Sequence, residues 1–238
     1  MSAPGREMKN ELLELWRALP KDPFRFFAER TETEHTPESI KATFEKYGIP
    51  LPPGPEGFSD YMASFWARDH ATRRWSWAIP DERAIAMLVK YSPLIEIGAG
   101  TGYWAALASA AGADMVAFDQ NPPGLASQRN HWHPNTNRFF DVRRGGAAKV
   151  REHPGRTLFL CWPPMECPMP GQALAAYTGD IVIFVGEMQG CCENADFTAA
   201  IERGWDLVEE VGNPRWHGIH DSMGVYRRRG NVRVEREN

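Results

Sequence analysis

The stretch LIEIGAGTGYW, residues 94–104, decides the fold of this 238-residue chain. Residues 94–97 form a short apolar run that suits a buried parallel strand, and a helix is expected to begin near Tyr103. The turn between them contains Gly98, Gly100 and Gly102, which can adopt positive φ angles and let a ligand approach the backbone. The first N–H groups of the following helix would face that ligand. The stretch therefore predicts a nucleotide-sized docking edge at the end of a strand.

The spacing of the glycines and of the next acid separates two classes of nucleotide site. A dinucleotide fingerprint, G-x-G-x-x-G, would need glycine at the position of Tyr103 and does not fit. A second apolar strand, residues 115–118, ends in Asp119, which lies 17 positions after Gly102 and leaves room for one helix and one strand. A carboxylate at that strand end can accept both ribose hydroxyls, at ~1.5–3 kcal/mol for each charged hydrogen bond.

The pattern Glu96-x-Gly98-x-Gly100-x-Gly102 followed by Asp119 resembles motif I and the strand-two acid of the class I S-adenosylmethionine (SAM) dependent methyltransferases. The resemblance implies an α/β, Rossmann-like fold over residues 75–230: a mostly parallel seven-stranded sheet, helices on both faces and an antiparallel last strand. It also implies SAM as cosubstrate or sole substrate. The positions that it places against SAM are Trp77, Glu96, Gly98, Gly100, Gly102, Tyr103, Asp119, Gln120, Gly146, Ala147 and Cys161. A glycine-rich turn in another Rossmann-like protein is the alternative.

Two departures from the family pattern bear on the chemistry. Gly146 stands where the family usually has the acid that binds the adenine amino group, so backbone groups of Gly146 and Ala147 are expected to contact the ring instead. After strand four, Thr157–Cys161, the chain reads Trp162-Pro-Pro, where amine-methylating members of the family read Asn or Asp-Pro-Pro-aromatic. The replacement argues against adenine or cytosine methylation.

Three further motifs leave the reaction open. Trp77-Ala-Ile-Pro, residues 160–164 (LCWPP) and residues 218–221 (GIHD) are similar to a branch of the superfamily near, or including, the bacterial azetidine-2-carboxylate synthases. One reaction is methyl transfer to a small molecule. The alternative is attack of the SAM amine on its own γ-carbon with release of methylthioadenosine. The third possibility is a protein that binds SAM and catalyses no reaction. The catalytic candidates are Trp162, Tyr177, His220 and Asp221: His217, His220 or Asp221 as general base, and Tyr177 with the carbonyls near Trp162 to orient the amine.

Composition and the spacing of cysteines and histidines argue against nucleic-acid, membrane and metal partners. A hydrophobic fraction of 42% and a charged fraction of 24% are ordinary for a globular domain, and a net charge of −4 argues against a nucleic-acid partner. No apolar run has membrane-spanning length, and residues 1–10 lack a signal-peptide core, so we expect a cytoplasmic protein without a membrane partner. The four cysteines and the pairs His131-x-His133 and His217-x-x-His220 lack zinc spacings, so no metal is expected. The sequence leaves the oligomeric state open.

The remaining segments complete the predicted organisation. Residues 1–74 are expected to form a helical cap, with helices over residues 7–19, from Pro23, and from Thr36 to Gly48, then a proline-rich linker over residues 49–58. Aromatic residues between Phe58 and Trp77 are expected to pack the cap onto the sheet, and Trp77 is the candidate for contact with the sulfonium. Predicted later elements are a short helix before His133, strand three at 139–142, strand five at 180–185, and an antiparallel pair at 205–211 and 223–229. Residues 231–238 are expected to be a frayed tail.

Overall fold

The computed structural model describes residues 8–20, 35–53, 60–124, 130–134, 136–192 and 194–230. The helix expected from Pro23, the second half of the linker (residues 54–58), and the tail at 231–238 therefore lie outside the described residues. The strands are β1 (Leu94–Ile97), β2 (Met115–Asp119), β3 (Val142–Arg144), β4 (Thr157–Cys161), β5 (Ile181–Gly186), β6 (Trp205–Gly212) and β7 (Ser222–Arg228). They form one sheet of order β3-β2-β1-β4-β5-β7-β6. Strands β1 to β5 are parallel, and β7 pairs antiparallel with both β5 and β6.

This strand order confirms the predicted fold class, a Rossmann-like methyltransferase sheet with an antiparallel β7. Consecutive residues of β4 show how the sheet is buried on both faces. Phe159 packs into one hydrophobic cluster, whereas Leu158 and Leu160 pack into the cluster on the opposite face, as the two-residue strand period requires. The central strands are therefore continuous apolar runs, as in parallel sheets covered by helices.

Helices cover both faces of the sheet. They are α1 (Glu11–Arg17), α2 (Pro37–Tyr47), α3 (Asp60–Arg74), α4 (Glu82–Lys90), α5 (Tyr103–Ala110), α6 (Met169–Ala176) and α7 (Ala195–Gly204), with a 3₁₀ helix at Ala147–Glu152. The sequence encodes several of the starts: Thr36 and Ser39 form a capping box, and the Asp81 side chain accepts from the N–H of Ala84. Among the helices in the described part of the chain, none is long and apolar enough to cross a membrane.

One predicted element needs correction, and a second is only partly described. Strand three begins at Val142 rather than Phe139, because the Phe139 N–H donates to the carbonyl of Thr101 in the glycine turn and is not available for the sheet. The short helix expected before His133 falls largely on residues 125–129, outside the described residues, and the described residues 130–133 are not helical. The side chain of Asn130 accepts from the N–H groups of Trp132 and His133, which competes with a helical hydrogen-bond pattern.

The N-terminal helices pack on the sheet domain through α5. Leu12, Phe44 and Trp75 belong to one buried cluster with Tyr103 and with Leu107 of α5. The expectation that aromatic residues pack the cap agrees with this cluster, in which Trp75 is 1% exposed. The division into a cap at 1–74 and a domain at 75–230 stays a prediction.

The hydroxyl of Tyr103 links α5 to the start of α1. It accepts from the N–H of Leu12 at 3.2 Å and donates to Oδ1 of Asn10 at 3.1 Å. We expect Tyr103→Phe to destabilise the protein by about 1–2 kcal/mol, because the Leu12 N–H loses a buried acceptor. The expected fall in melting temperature is about 3–6 °C by calorimetry. Tyr226→Phe, on β7, is the control, and an equal melting temperature for both variants would contradict the link.

Candidate active site at the carboxyl ends of the strands

A cavity of about 730 Å³ opens along the carboxyl ends of β1 to β4. Its lining includes the ends of β1 and β2, residues 145–148 after β3, and Cys161 and Trp162 at the end of β4. The volume lies within the range of about 300–1,000 Å³ that small-molecule sites occupy. Ligands of open α/β sheets bind at this edge, so the cavity is the candidate functional site.

The glycine turn after β1 forms one side of the cavity. Gly98, Gly100 and Gly102 have φ angles of +75°, +52° and +72°. A methyl group on Gly98 would lie 2.7 Å from Cε of Met169, and one on Gly100 would lie 2.6 Å from Nε2 of His133. The turn therefore requires glycine both for its backbone angles and because side chains of this protein approach it closely.

Asp119, at the end of β2, faces the same turn. Its Oδ2 accepts from the N–H of Gly100 at 2.9 Å, and its Oδ1 accepts from the N–H of Asn121 at 2.8 Å. The carboxyl is half-buried at the cavity wall. Each ionised carboxylate oxygen has about two acceptor positions, so both retain one for a ligand hydroxyl. The two backbone contacts fix where a bound sugar would have to lie.

Glu96 places a second acid beneath the turn. It lines the cavity, is 2% exposed, and its Oε2 has no hydrogen-bond partner. Burial, and to a lesser degree the charge of Asp119, raise the pKa of the Glu96 carboxyl to about 8. A cationic ligand in the cavity would favour the ionised form and offset this desolvation.

Three tryptophans, Trp77, Trp132 and Trp162, form what we call the aromatic wall of the cavity. The rings of Trp77 and Trp162 are stacked, with centroids 5.8 Å apart and planes 22° apart, and Trp132 meets Trp77 edge to face at 5.8 Å. The Arg68 guanidinium, from α3, lies over the Trp77 ring at 6.0 Å and also lines the cavity. The wall thus presents π surfaces that attract cations.

Trp162 is held by its backbone and by its indole. Its φ is +48°, unusual for a bulky residue, and its N–H donates to the carbonyl of Val185 at 2.8 Å. The indole Nε1–H donates to Oδ2 of Asp221 at 3.1 Å. Asp221 is 2% exposed and does not line the cavity, so it contacts the wall from behind. The expectation that Asp221 is a general base does not fit this position.

Two other catalytic candidates lie away from the cavity lining. The Tyr177 hydroxyl is within hydrogen-bond distance of the carbonyls of Arg156, at 2.9 Å, and Ile181, at 2.8 Å. Those carbonyls are at the amino ends of β4 and β5, the edge opposite the cavity, so Tyr177 lies away from the place where the reacting amine would bind. The side chain of His220 is 80% exposed, and its backbone N–H donates to Glu187.

The remaining predicted cofactor positions, Gln120, Gly146, Ala147, Cys161 and Tyr103, all line the cavity. Sequence reasoning missed Arg68, Trp132 and His133. The sequence suggests His131-x-His133 only as a possible metal pair, and over the ranges that the structure describes no group of three or more metal-binding side chains occurs.

His133 instead supports the glycine turn. Its Nδ1 lies 3.1 Å from the carbonyl oxygen of Arg73, so this nitrogen is the donor, and its Nε2 faces Gly100. Burial lowers the pKa of the His133 ring, which favours the neutral imidazole. His133 therefore contributes a neutral acceptor beside Gly100 and ties the turn to the end of α3.

No family model and no curated protein matches the sequence. Among solved structures, the chain is similar to a mutant of MtNAS, a nicotianamine synthase, crystallised with SAM. The identity is 10%, the match covers 92% of this chain and 90% of that chain, and the TM-score is 0.40. The chain is also similar to a precorrin-6y methyltransferase from Geobacter metallireducens, at 11% identity, 66% and 93% coverage and a TM-score of 0.40. A third similar structure is a didemethyltoxoflavin methyltransferase from Burkholderia thailandensis with bound S-adenosylhomocysteine. Its identity is 15%, the match covers 84% of this chain and 94% of that chain, and the TM-score is 0.39. At these values no activity carries over, and the fold assignment rests on the chain's own strand order.

Proposed function

We propose that this chain is an enzyme that binds SAM in the cavity and transfers its methyl group to a small molecule. One observation carries the proposal: Asp119 and the glycine turn meet in a cavity that combines a buried, partnerless acid with an aromatic wall. A nucleoside with a positively charged substituent satisfies each of these groups at once. A pyridine dinucleotide has no ammonium group to donate a hydrogen bond to the buried acid.

Each part of the ligand has a counterpart in the lining. Asp119 would accept the ribose hydroxyls, and the backbone of Gly146 and Ala147 would face the adenine. The α-ammonium of the methionine tail would approach Glu96, and its carboxylate would face Arg68, whose planar fork suits a carboxylate. Gln120 and Cys161 line the intervening surface.

The sulfonium would lie against Trp77 and Trp162. Attraction between a cation and a desolvated aromatic ring is worth ~0.5–2 kcal/mol. The wall would shield the reacting carbon from water on one side, and alignment of acceptor and methyl group can lower the barrier of such a displacement by ~7–11 kcal/mol. The protein would align the two reacting groups, and the sulfonium would supply the leaving group.

Intramolecular cyclisation of SAM is the second candidate. The observation that favours it is the placement of the proposed bases: neither His220 nor Asp221 lines the cavity. A reaction without an external acceptor needs no recognition surface for one. It requires a bent tail, a neutral amine and a dry niche, and the aromatic wall suits all three.

Product analysis with SAM as the only small molecule separates these reactions. Purified protein that releases methylthioadenosine without an added acceptor carries out the cyclisation. Methyl transfer predicts no turnover until an acceptor from a small-molecule extract is supplied, and then S-adenosylhomocysteine as the nucleoside. Binding without any turnover in either assay would contradict an enzymatic role.

A further inference from the structure

We propose that Asp221 is a positioning residue that holds the Trp162 indole in the aromatic wall and makes the wall prefer a positively charged sulfonium over a neutral thioether. The inference deepens the proposed function and rests on it. It holds for either reaction, because it concerns the charge on sulfur and not the bond that replaces it.

The contact is rigid on both sides. Trp162 packs against all three hydrophobic clusters of the protein, and Pro163 and Pro164 follow it directly. Asp221 is held in turn by Arg215, whose Nε donates to the Asp221 backbone carbonyl at 2.8 Å. The hydrogen bond of 3.1 Å between the indole and Oδ2 of Asp221 therefore joins two groups that packing already fixes.

The charge on Asp221 acts through the ring. An anionic acceptor on the indole N–H draws the proton toward itself and increases the electron density on the π face, which strengthens attraction to a cation at that face. The same charge also attracts the cation directly across a buried region where screening by solvent is weak. Both effects disappear when the ligand is neutral.

Among the described residues, the Trp162 indole is the side-chain partner that the Asp221 carboxylate has. Its Oδ1 has no hydrogen-bond partner. Burial raises the pKa of the Asp221 carboxyl to about 6, although the hydrogen bond from the indole and the charge of Arg215 both lower it. A buried oxygen without a partner is costly, so a fold selected for stability alone would favour an uncharged residue here. At pH 8 the carboxyl is ionised and available to the ring.

A preference of the aromatic wall for a sulfonium over a thioether would help either reaction. In methyl transfer, the acceptor forms a bond to the methyl carbon as the carbon–sulfur bond breaks, and the bonding electron pair stays on sulfur. In cyclisation, the amine forms the bond to the γ-carbon, and the pair again stays on sulfur. Either product nucleoside is a neutral thioether. A wall that favours the cation therefore binds the substrate and releases the product.

The test compares two ligands that differ in the charge on sulfur. Dissociation constants for SAM and S-adenosylhomocysteine are measured by calorimetry at pH 8 for the wild type, Asp221→Asn and the exposed control Asp141→Asn. We expect Asp221→Asn, which keeps an acceptor for the indole but loses the charge, to weaken SAM binding by about 5- to 20-fold. Binding of S-adenosylhomocysteine should change by less than about twofold, and the control should change neither.

The other outcomes separate the two claims. Equal weakening of both ligands, or no weakening of either, would overturn the role of Asp221 while leaving the SAM site intact. A wild type that binds neither ligand would overturn the proposed function itself. Should Asp221→Asn fail to fold, Trp162→Phe, which keeps a ring but lacks the indole donor, must show the same selective loss of SAM affinity for the inference to stand.

Discussion

Asp119→Ala is expected to weaken SAM binding by about 100-fold. The substitution removes the acceptor for two ribose hydroxyls, and each charge-assisted hydrogen bond contributes ~1.5–3 kcal/mol. It also releases the N–H groups of Gly100 and Asn121, which Asp119 holds at 2.9 and 2.8 Å, so the glycine turn loses part of its support. Calorimetric titration of SAM measures the loss directly.

Asp141→Ala is the matched control for this variant. Asp141 is an exposed acid just before β3 that pairs with Arg143 at 3.0 Å at the surface. Surface ion pairs contribute little, so its removal should leave the SAM dissociation constant within about twofold of the wild type. Equal affinities for Asp119→Ala and Asp141→Ala would remove Asp119 from the site.

Glu96→Gln is expected to stabilise the unliganded protein at alkaline pH. The pKa of the Glu96 carboxyl is raised from 4.5 to about 8 by burial, so the folded state retains a proton that the unfolded chain releases between these values. Relative to the glutamine variant, the wild type therefore loses stability as the pH rises from 4.5, and the difference levels off above about 8. The variant should melt at least about 5 °C higher at pH 8.5, and at a similar temperature near pH 4.5.

The same substitution is expected to weaken SAM binding. At pH 8.5 the loss of an anion near the α-ammonium should reduce affinity by about tenfold, so stability and affinity move in opposite directions. Glu45→Gln, on the exposed side of α2, should change neither quantity. A variant of Glu96 that melts with the wild type at pH 8.5 would show that this acid is not buried without a partner.

The sequence predicts the central layer well because its signals are local. Residues 94–97, the glycine turn and the helix from Tyr103 are contiguous, and the observed β1 and α5 have these bounds. Strand β4 likewise has the expected bounds, Thr157–Cys161. The sequence places strand β3 too early, at 139–142, because the apolar residues before Val142 pack against the glycine turn and do not pair with a neighbouring strand. Phe140, for example, contacts the glycine turn, where its Cβ would lie 2.8 Å from a methyl group on Gly102.

The site was only partly predictable, because its second half depends on contacts between distant parts of the chain. The Trp162–Asp221 hydrogen bond spans 59 positions, and Arg68 reaches the cavity from α3. No spacing rule connects such residues. The position of Tyr177 has a simpler cause: a residue that precedes a parallel strand lies at its amino end, and ligands bind at the carboxyl ends.

A crystal structure of the protein with S-adenosylhomocysteine would show whether the cavity is a SAM site. We expect the nucleoside in the cavity between the turn at Gly98–Gly102 and residues 145–148, with both ribose hydroxyls about 2.5–3.0 Å from the Asp119 carboxylate. A nucleoside bound elsewhere, or a cavity that takes a pyridine dinucleotide in its place, would contradict this expectation.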